Sequence, residues 1–549
     1  MEFREEIYNT RGFSSFLQYR QDRRFCDIAL KCQDKTLHAH KIVIASQSPY
    51  FHEKLAGSDD AVAVVDIPKH ISSSTVESVL DFMYTGSIAI DSFNYRDLMI
   101  IQKLFEIPDL SEMLYRTLRK FITPQNIRHF IKSYPDFTNI TSLKEHFDHV
   151  FLHSFEDISK DLLSVGPELL NVISLLGRAE LNLKEEESVH VFLDSWLSLN
   201  SLEITTTDIK EVMKLVWWQD LNTQYLSSIY FNDTSTTAEV QKPLAYNTLQ
   251  QKSNGNKDES KYQRAGQYKR AMFAVASYEG SHIWELLRAD TNDEEWFDLG
   301  ECPLMNTEKA TCCFLEGWLY VLGNNGDLLR YSVYIKKWEE CRKTPYSIVR
   351  SHVMCRSANQ LLVVGGDHST GRSVIRYDQV EDTWYTCSTL PRFCDRFSGT
   401  SVRDTLYIVG QSQGEDIIVQ SYNGENNTWD VIEEPDRGPY DVPISATSNN
   451  DMVYILGGQA PTENRPEEGS ILFRFNPSFE NATVLHPLPT CCINAKLVSV
   501  QDKVYSIGGI EKGVVLDTIN KYCPLSDSWS VLEWKFPWHT KRYSVTTHS

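Results

Sequence analysis

No stretch of this 549-residue chain approaches the roughly 18 consecutive apolar residues that a membrane-crossing helix needs. The first 25 residues mix charge with aromatics, beginning Met1-Glu2-Phe3-Arg4-Glu5-Glu6, and contain no apolar core of a secretory signal. The chain is therefore expected in the cytoplasm, with the nucleus as a second compartment, and no membrane partner is expected. None of the twelve cysteines falls in a CxxC pair, and the adjacent pairs Cys312-Cys313 and Cys491-Cys492 cannot fork around zinc. No metal and no cofactor is expected, and the thiols should be reduced and packed. A basic excess is also missing. Lys+Arg number 54 against Asp+Glu 74, a net charge of −20. The deficit is spread evenly, 24 basic against 35 acidic residues up to residue 250 and 30 against 39 beyond it, −11 and −9. Nucleic-acid binding, which needs a basic face, is excluded as the main activity. The acidity reads as a solubility property.

Three textures follow one another along the chain. Residues 1–125 mix short strands and helices. Cys26 to Cys32 alternates and Lys35 to Ala39 continues it, which predicts a hairpin turning at Gln33-Asp34. Lys41 to Leu55 has helical spacing broken at Ser48-Pro49, and Ala63 to Ile67 is a β-branched strand. Ser74 to Tyr84 is an amphipathic helix that Ser73 or Ser74 could cap and Gly86 could stop. Residues 126–232 read as helices alone: Asn126–Ser133, Leu143–Ile158, Gly166–Leu176, Lys184–Leu199 and Thr207–Trp217. Residues 233–270 are polar and poor in aliphatics, and read as a linker.

From residue 271 to 549 the texture becomes short strands, glycine turns and spaced tryptophans. An aromatic followed seven residues later by Trp occurs at Tyr331/Trp338, Tyr377/Trp384, Tyr422/Trp429 and Tyr522/Trp529. A fifth unit has Phe475 and Ala482 at these positions, and a first unit leads from Met272 to Trp296. The tryptophan spacings are 42, 46 and 45, then 100 across the unit lacking one. This period fits four-stranded propeller blades, six in number. The Tyr and Trp side chains are expected as core between blades. Lys541 to Thr547 should supply the innermost strand of the first blade, closing the ring and removing both sheet edges.

The stretches Phe25-Cys26-Asp27-Ile28-Ala29-Leu30, His38-Ala39-His40-Lys41, Ser46-Gln47-Ser48-Pro49-Tyr50-Phe51 and Met83-Tyr84-Thr85-Gly86 together resemble a BTB domain. Thr123-Pro124-Gln125-Asn126 resembles the junction to a BACK domain, Leu183-Lys184-Glu185-Glu186 and Trp196 are similar to later BACK helices, and the six units resemble kelch repeats. The chain as a whole resembles the BTB–BACK–kelch (kelch-like) family. The resemblance implies a multidomain fold: an α/β BTB domain (1–125), an all-α BACK domain (126–232), a linker (233–270) and an all-β six-bladed propeller (271–549). It implies a BTB homodimer, cullin-3 as partner, and a protein substrate held by the propeller. Such a chain is a non-catalytic adaptor of a ubiquitin ligase.

Tyr50, Phe51, Lys54 and Leu55 are the candidates for the cullin contact, with Tyr50 and Phe51 equally readable as core. Asp27 and His40 read as structural polar groups. In the propeller, loops between strands two and three and those between blades open on one face. There Arg350, Arg372, Arg392 and Arg396 could present forked donors to an acidic peptide, flanked by Tyr346, Phe393 and Tyr440. A cytoskeletal, actin-associated scaffold built on the same modules is the competing reading. A copper oxidase site would need Tyr and His ligands on the propeller axis, and His282, His352 and His368 are scattered.

Overall fold

The computed structural model describes residues 15–547 apart from short segments, the longest being 57–61, 254–270, 367–370, 412–416, 433–444 and 458–469. It forms two compact units, one of Met1–Ser174, Phe192–Val212 and Ser235–Thr237, the other of Leu175–Val191, Met213–Thr234 and Ala238–Ser549.

In the first unit, strand Ile28–Lys31 pairs antiparallel with Thr36–Ala39 and parallel with Ala63–Asp66. Helices Lys41–Gln47 and Pro49–Leu55 are separate because Ser48 caps the second, its Oγ accepting from Phe51 N–H at 3.1 Å with Pro49 at the first helical position. Helix Ser73–Thr85 is capped by Ser72, not by Ser73 or Ser74. Ser72 Oγ accepts from Thr75 N–H, while Ser73 Oγ donates to Asp34. Gly86 ends this helix at φ 70. Helix Thr141–Leu162 buries Phe147, Phe151 and Phe155 at successive turns, and Trp196 donates its indole N–H to the Val165 carbonyl at 2.8 Å. The segment expected as a helix over Gly166–Leu176 is instead two 3₁₀ turns, Pro167–Asn171 and Ile173–Gly177. Leu169, Val172, Ile173 and Leu176 are buried at the i, i+3, i+4, i+7 spacing that also suits an α-helix, so apolar spacing does not separate the two forms here.

The segment read as a linker, 233–270, contains helix Ala238–Ser253. It was hidden because its buried stripe is Gln241, Ala245 and Thr248 rather than aliphatics. Gln241 bonds His190 Nε2 at 2.9 Å, and Tyr246 stacks on Tyr230.

Among the described residues, six four-stranded antiparallel sheets form the propeller. Blade 1 is Arg542–Thr547, Ala271–Ser277, Trp284–Asp290 and Glu295–Cys302. The inner strands of blades 2 to 6 are Ala310–Leu315, His352–Ser357, Arg396–Val402, Ser445–Asn449 and Lys496–Val500. Each inner strand neighbours the next, and the sixth neighbours Arg542–Thr547, so the ring is closed. Arg542 pairs with Ser277 and Thr547 with Met272. The closing strand is held further by Arg542, which donates to the carbonyls of Ser281, Thr307 and Glu308 at 2.7–3.0 Å.

The four Tyr/Trp pairs are cross-strand neighbours with ring centroids 5.0–5.1 Å apart. In three of them a further residue, five after the Tyr, completes an inter-blade clip. Tyr377 OH donates to Asp382, which accepts Arg342 N–H at 2.8 Å, while Trp384 donates to the Arg342 carbonyl. Tyr422, Asn427 and Trp429 grip Ser388 in the same way, and Tyr522, Asp527 and Trp529 grip His486. Asp382, Asn427 and Asp527 all have φ between 45 and 54, left-handed backbone that Asn and Asp tolerate best. Blade 2 has Lys336 at this position, and blade 5 has Glu480 with Ala482 in place of the Trp.

Candidate substrate-binding face and channel

Helix Pro49–Leu55 divides the four cullin candidates. Phe51 is fully buried, its ring 4.7 Å from that of Phe105, so it belongs to the core and cannot contact a partner. Tyr50 is half-buried, stacked on Phe105 with its hydroxyl reached by Lys54 Nζ at 2.8 Å. Lys54 is exposed and Leu55 half-buried. Asp27 accepts Lys41 N–H at 2.7 Å, and His40 bonds Tyr84 OH at 2.7 Å and the Arg24 carbonyl at 2.9 Å. Both act as structural polar groups. Burial of Tyr84 pushes its hydroxyl up to about 12, so it stays protonated.

On the propeller, His352 pairs with Gly365 and Lys496 with Ile507. The inner strands therefore begin on the face where the strand-two-to-three loops emerge. Of the substrate candidates, Tyr346 and Phe393 are half-buried and Arg392 is exposed. The Arg392 backbone is fixed by Gln420, which accepts its N–H at 2.8 Å and donates to its carbonyl at 3.1 Å. Arg372 is half-buried and its guanidinium donates to the Leu390 carbonyl, so it braces its own blade rather than presenting a free fork. Arg396 opens the inner strand of blade 4, paired with Gln411. Arg350 and Tyr440 lie outside the described residues.

The inner strands enclose a channel of about 450 Å³, within the size range of ligand sites. It is lined by Lys496, Arg356, His352 and a series of serine and threonine hydroxyls, with no carboxylate among its described residues. Lys496 has its ammonium held below the usual lysine value by desolvation, since the wall supplies no counter-charge. Cys312 and Cys313 also line the channel, and burial pushes both thiols up to about 12, leaving them inert. Sequence reasoning missed Lys496 and the clip residues Asp382, Asn427 and Asp527. Aligning the six units on their Tyr positions would have exposed the latter at a constant offset of five.

Residues 16–122 match the BTB/POZ domain family, residues 130–231 the BACK (BTB And C-terminal Kelch) family, and residues 349–391, which cover blade 3, the Kelch motif. The chain belongs to the BTB–BACK–kelch family. It is 21% identical over 527 residues to Kelch-like protein 40 of Xenopus laevis, covering 92% of this chain and 81% of that one. It is 21% identical to Kelch-like protein 41 of Homo sapiens over 458 residues (80% and 70%) and 24% identical to Kelch-like protein 38 of Rattus norvegicus over 492 residues (82% and 82%). BTB–BACK–kelch proteins are generally adaptors rather than enzymes, and the family supports a substrate-adaptor role for this chain.

Proposed function

We propose that this BTB–BACK–kelch protein is the substrate-recognition subunit of a cullin-3 RING ubiquitin ligase in the cytoplasm. Its BTB domain and the start of BACK hold cullin-3, and its propeller face captures a protein substrate. The chain supplies no reacting group; it raises the local concentration of a substrate lysine near the charged ubiquitin carrier. The observation that carries this reading is the order of the three modules along one chain.

The paired Tyr50 and Lys54 offer the cullin contact an aromatic face beside a cation. Phe25 and Ile42, 78% and 76% exposed, give the BTB domain apolar side chains for a second copy. A dimer would add avidity for a substrate with two binding segments. Arg392, with Tyr346 and Phe393, leads the substrate contacts.

The test is co-precipitation of cullin-3 with the full chain and with its Tyr50→Ala/Lys54→Glu variant. Binding by the wild type at micromolar protein and a loss of tenfold or more in the variant are expected. No binding by the wild type refutes the reading and leaves the cytoskeletal scaffold.

A further inference from the structure

Each inner strand contributes one polar side chain to a belt around the channel: Ser544, Thr311, His352, Ser398, Ser445 and Lys496. Hydrogen bonds run along this belt from blade to blade. Ser544 Oγ accepts Cys312 N–H at 3.1 Å, and Thr311 Oγ1 lies 3.2 Å from His352 Nε2. Ser398 Oγ accepts Ala446 N–H at 3.0 Å, and Ser445 Oγ accepts Leu497 N–H at 2.9 Å. A hydroxyl carries one proton and two lone pairs. Each of these three serines gives a lone pair to the neighbouring blade and keeps its proton for a further acceptor. Lys496 stands in the same belt with three N–H donors and no carboxylate within ion-pair distance among the described residues. The wall thus offers donors and positive charge to a space that it furnishes with no anionic acceptor, in a chain whose net charge is −20.

We propose that the propeller channel binds a compact oxyanion, inorganic phosphate or the phosphate group of a small metabolite, with Lys496 as counter-charge and Ser445 and Ser544, on the two blades that flank it, as hydroxyl donors. Charge-assisted bonds from an ammonium and fixed hydroxyls are the chemistry that holds such groups where water is partly excluded. The ligand spans several blades, so its binding stabilises the ring as a whole. This site is independent of cullin-3 binding, which its failure would leave untouched.

The test is calorimetric titration of the full chain with inorganic phosphate at constant ionic strength, together with thermal melting. The wild type should bind one phosphate per chain saturably and melt higher in its presence. Lys496→Met should weaken binding roughly tenfold or more. It should also melt higher than the wild type in phosphate-free buffer, because an uncompensated charge has been removed from the wall. If Lys496→Met does not fold, Ser445→Ala/Ser544→Ala serves in its place and should lose affinity likewise. Glycerol 3-phosphate distinguishes the two sources: competition with phosphate assigns the site to a phosphomonoester, and failure to compete assigns it to the free ion. No saturable phosphate binding by the wild type, or equal affinity in the variants, overturns the proposal. Binding of a glutamate-rich peptide that depends on Lys496, without phosphate binding, also overturns it in favour of a peptide.

Discussion

Replacing Asp527 by alanine removes the centre of the blade 6 clip. Tyr522 OH loses an acceptor at 2.6 Å and His486 N–H one at 2.9 Å. Each bond is worth about 0.5–1.5 kcal/mol net, toward the lower end here because Asp527 is exposed and water can replace it. Alanine at φ 45 adds about 1 kcal/mol of left-handed strain. The sum is about 2–3 kcal/mol, which for a propeller of about 280 residues lowers Tm by about 3–5 °C. Asp527→Asn should stay within about 0.5 kcal/mol of wild type, because Asn427 performs the same function in blade 4, accepting Tyr422 OH at 3.0 Å and Ser388 N–H at 2.9 Å. Acid separates the two further. The Tyr522 hydroxyl and the His486 N–H hold the Asp527 carboxyl below the usual carboxylate range. A depressed pKa contributes stability above the unfolded value, near 3.9, and loses it as pH falls through the folded value. The margin of wild type over Asp527→Ala should therefore shrink below about pH 4, whereas Asp527→Asn carries no such slope. Differential scanning calorimetry of the full chain between pH 3 and 7 measures both. An asparagine variant as unstable as the alanine one would refute the clip.

Other consequences can be measured directly. Deleting residues 539–549 takes away the inner strand of blade 1 and should abolish the cooperative propeller transition; an unchanged melt would disprove the closure. Gly508→Ala should weaken the same seam by about 1–3 kcal/mol, since φ is 62 and the new Cβ would sit 2.8 Å from the Tyr543 hydroxyl. Arg330 is buried against Trp318, 4.0 Å from its ring, and paired with Glu339. Arg330→Met should lower the urea midpoint by the equivalent of about 2–3 kcal/mol, and adding Glu339→Leu should restore most of it. Cys523 Sγ lies 3.0 Å from Lys503 Nζ, which helps bring the thiol down to about 6. At pH 7 iodoacetamide should label Cys523 before Cys312, Cys313 or Cys355, and Lys503→Ala should slow that reaction; uniform labelling would contradict it.

The blades were legible because Tyr377 and Trp384, or Tyr522 and Trp529, must face each other across an outer hairpin, and that requirement repeats at a readable distance. Asp382 and Asp527 stood between those aromatics without a visible reason, since their function is to bind the backbone of a different blade. The channel belt was not legible at all. It takes one residue from each strand, six positions about 45 residues apart, and only three of them share a residue type, serine. Helix Ala238–Ser253 escaped because buried Gln241 is bonded by His190 and buried Thr248 by the Leu244 carbonyl of its own helix, so its stripe does not look apolar. Phe51 and Tyr50, adjacent in sequence, separate into core and surface only once the packing of Phe105 is known. The capping serine moved by one residue for a similar reason, Ser73 being drawn to Asp34.

The clip grips Arg342, Ser388 and His486 by their peptide N–H and carbonyl groups. The Ser388 hydroxyl adds bonds to the Asn427 carbonyl and side chain at 2.6 and 3.0 Å, and the Arg342 guanidinium reaches Thr383 Oγ1 at 3.3 Å, but the peptide grip is common to all three. Segments joining one blade to the next can thus change in sequence while that common part of the frame remains. Selection on what the propeller recognises is thereby partly decoupled from selection on whether it stays closed.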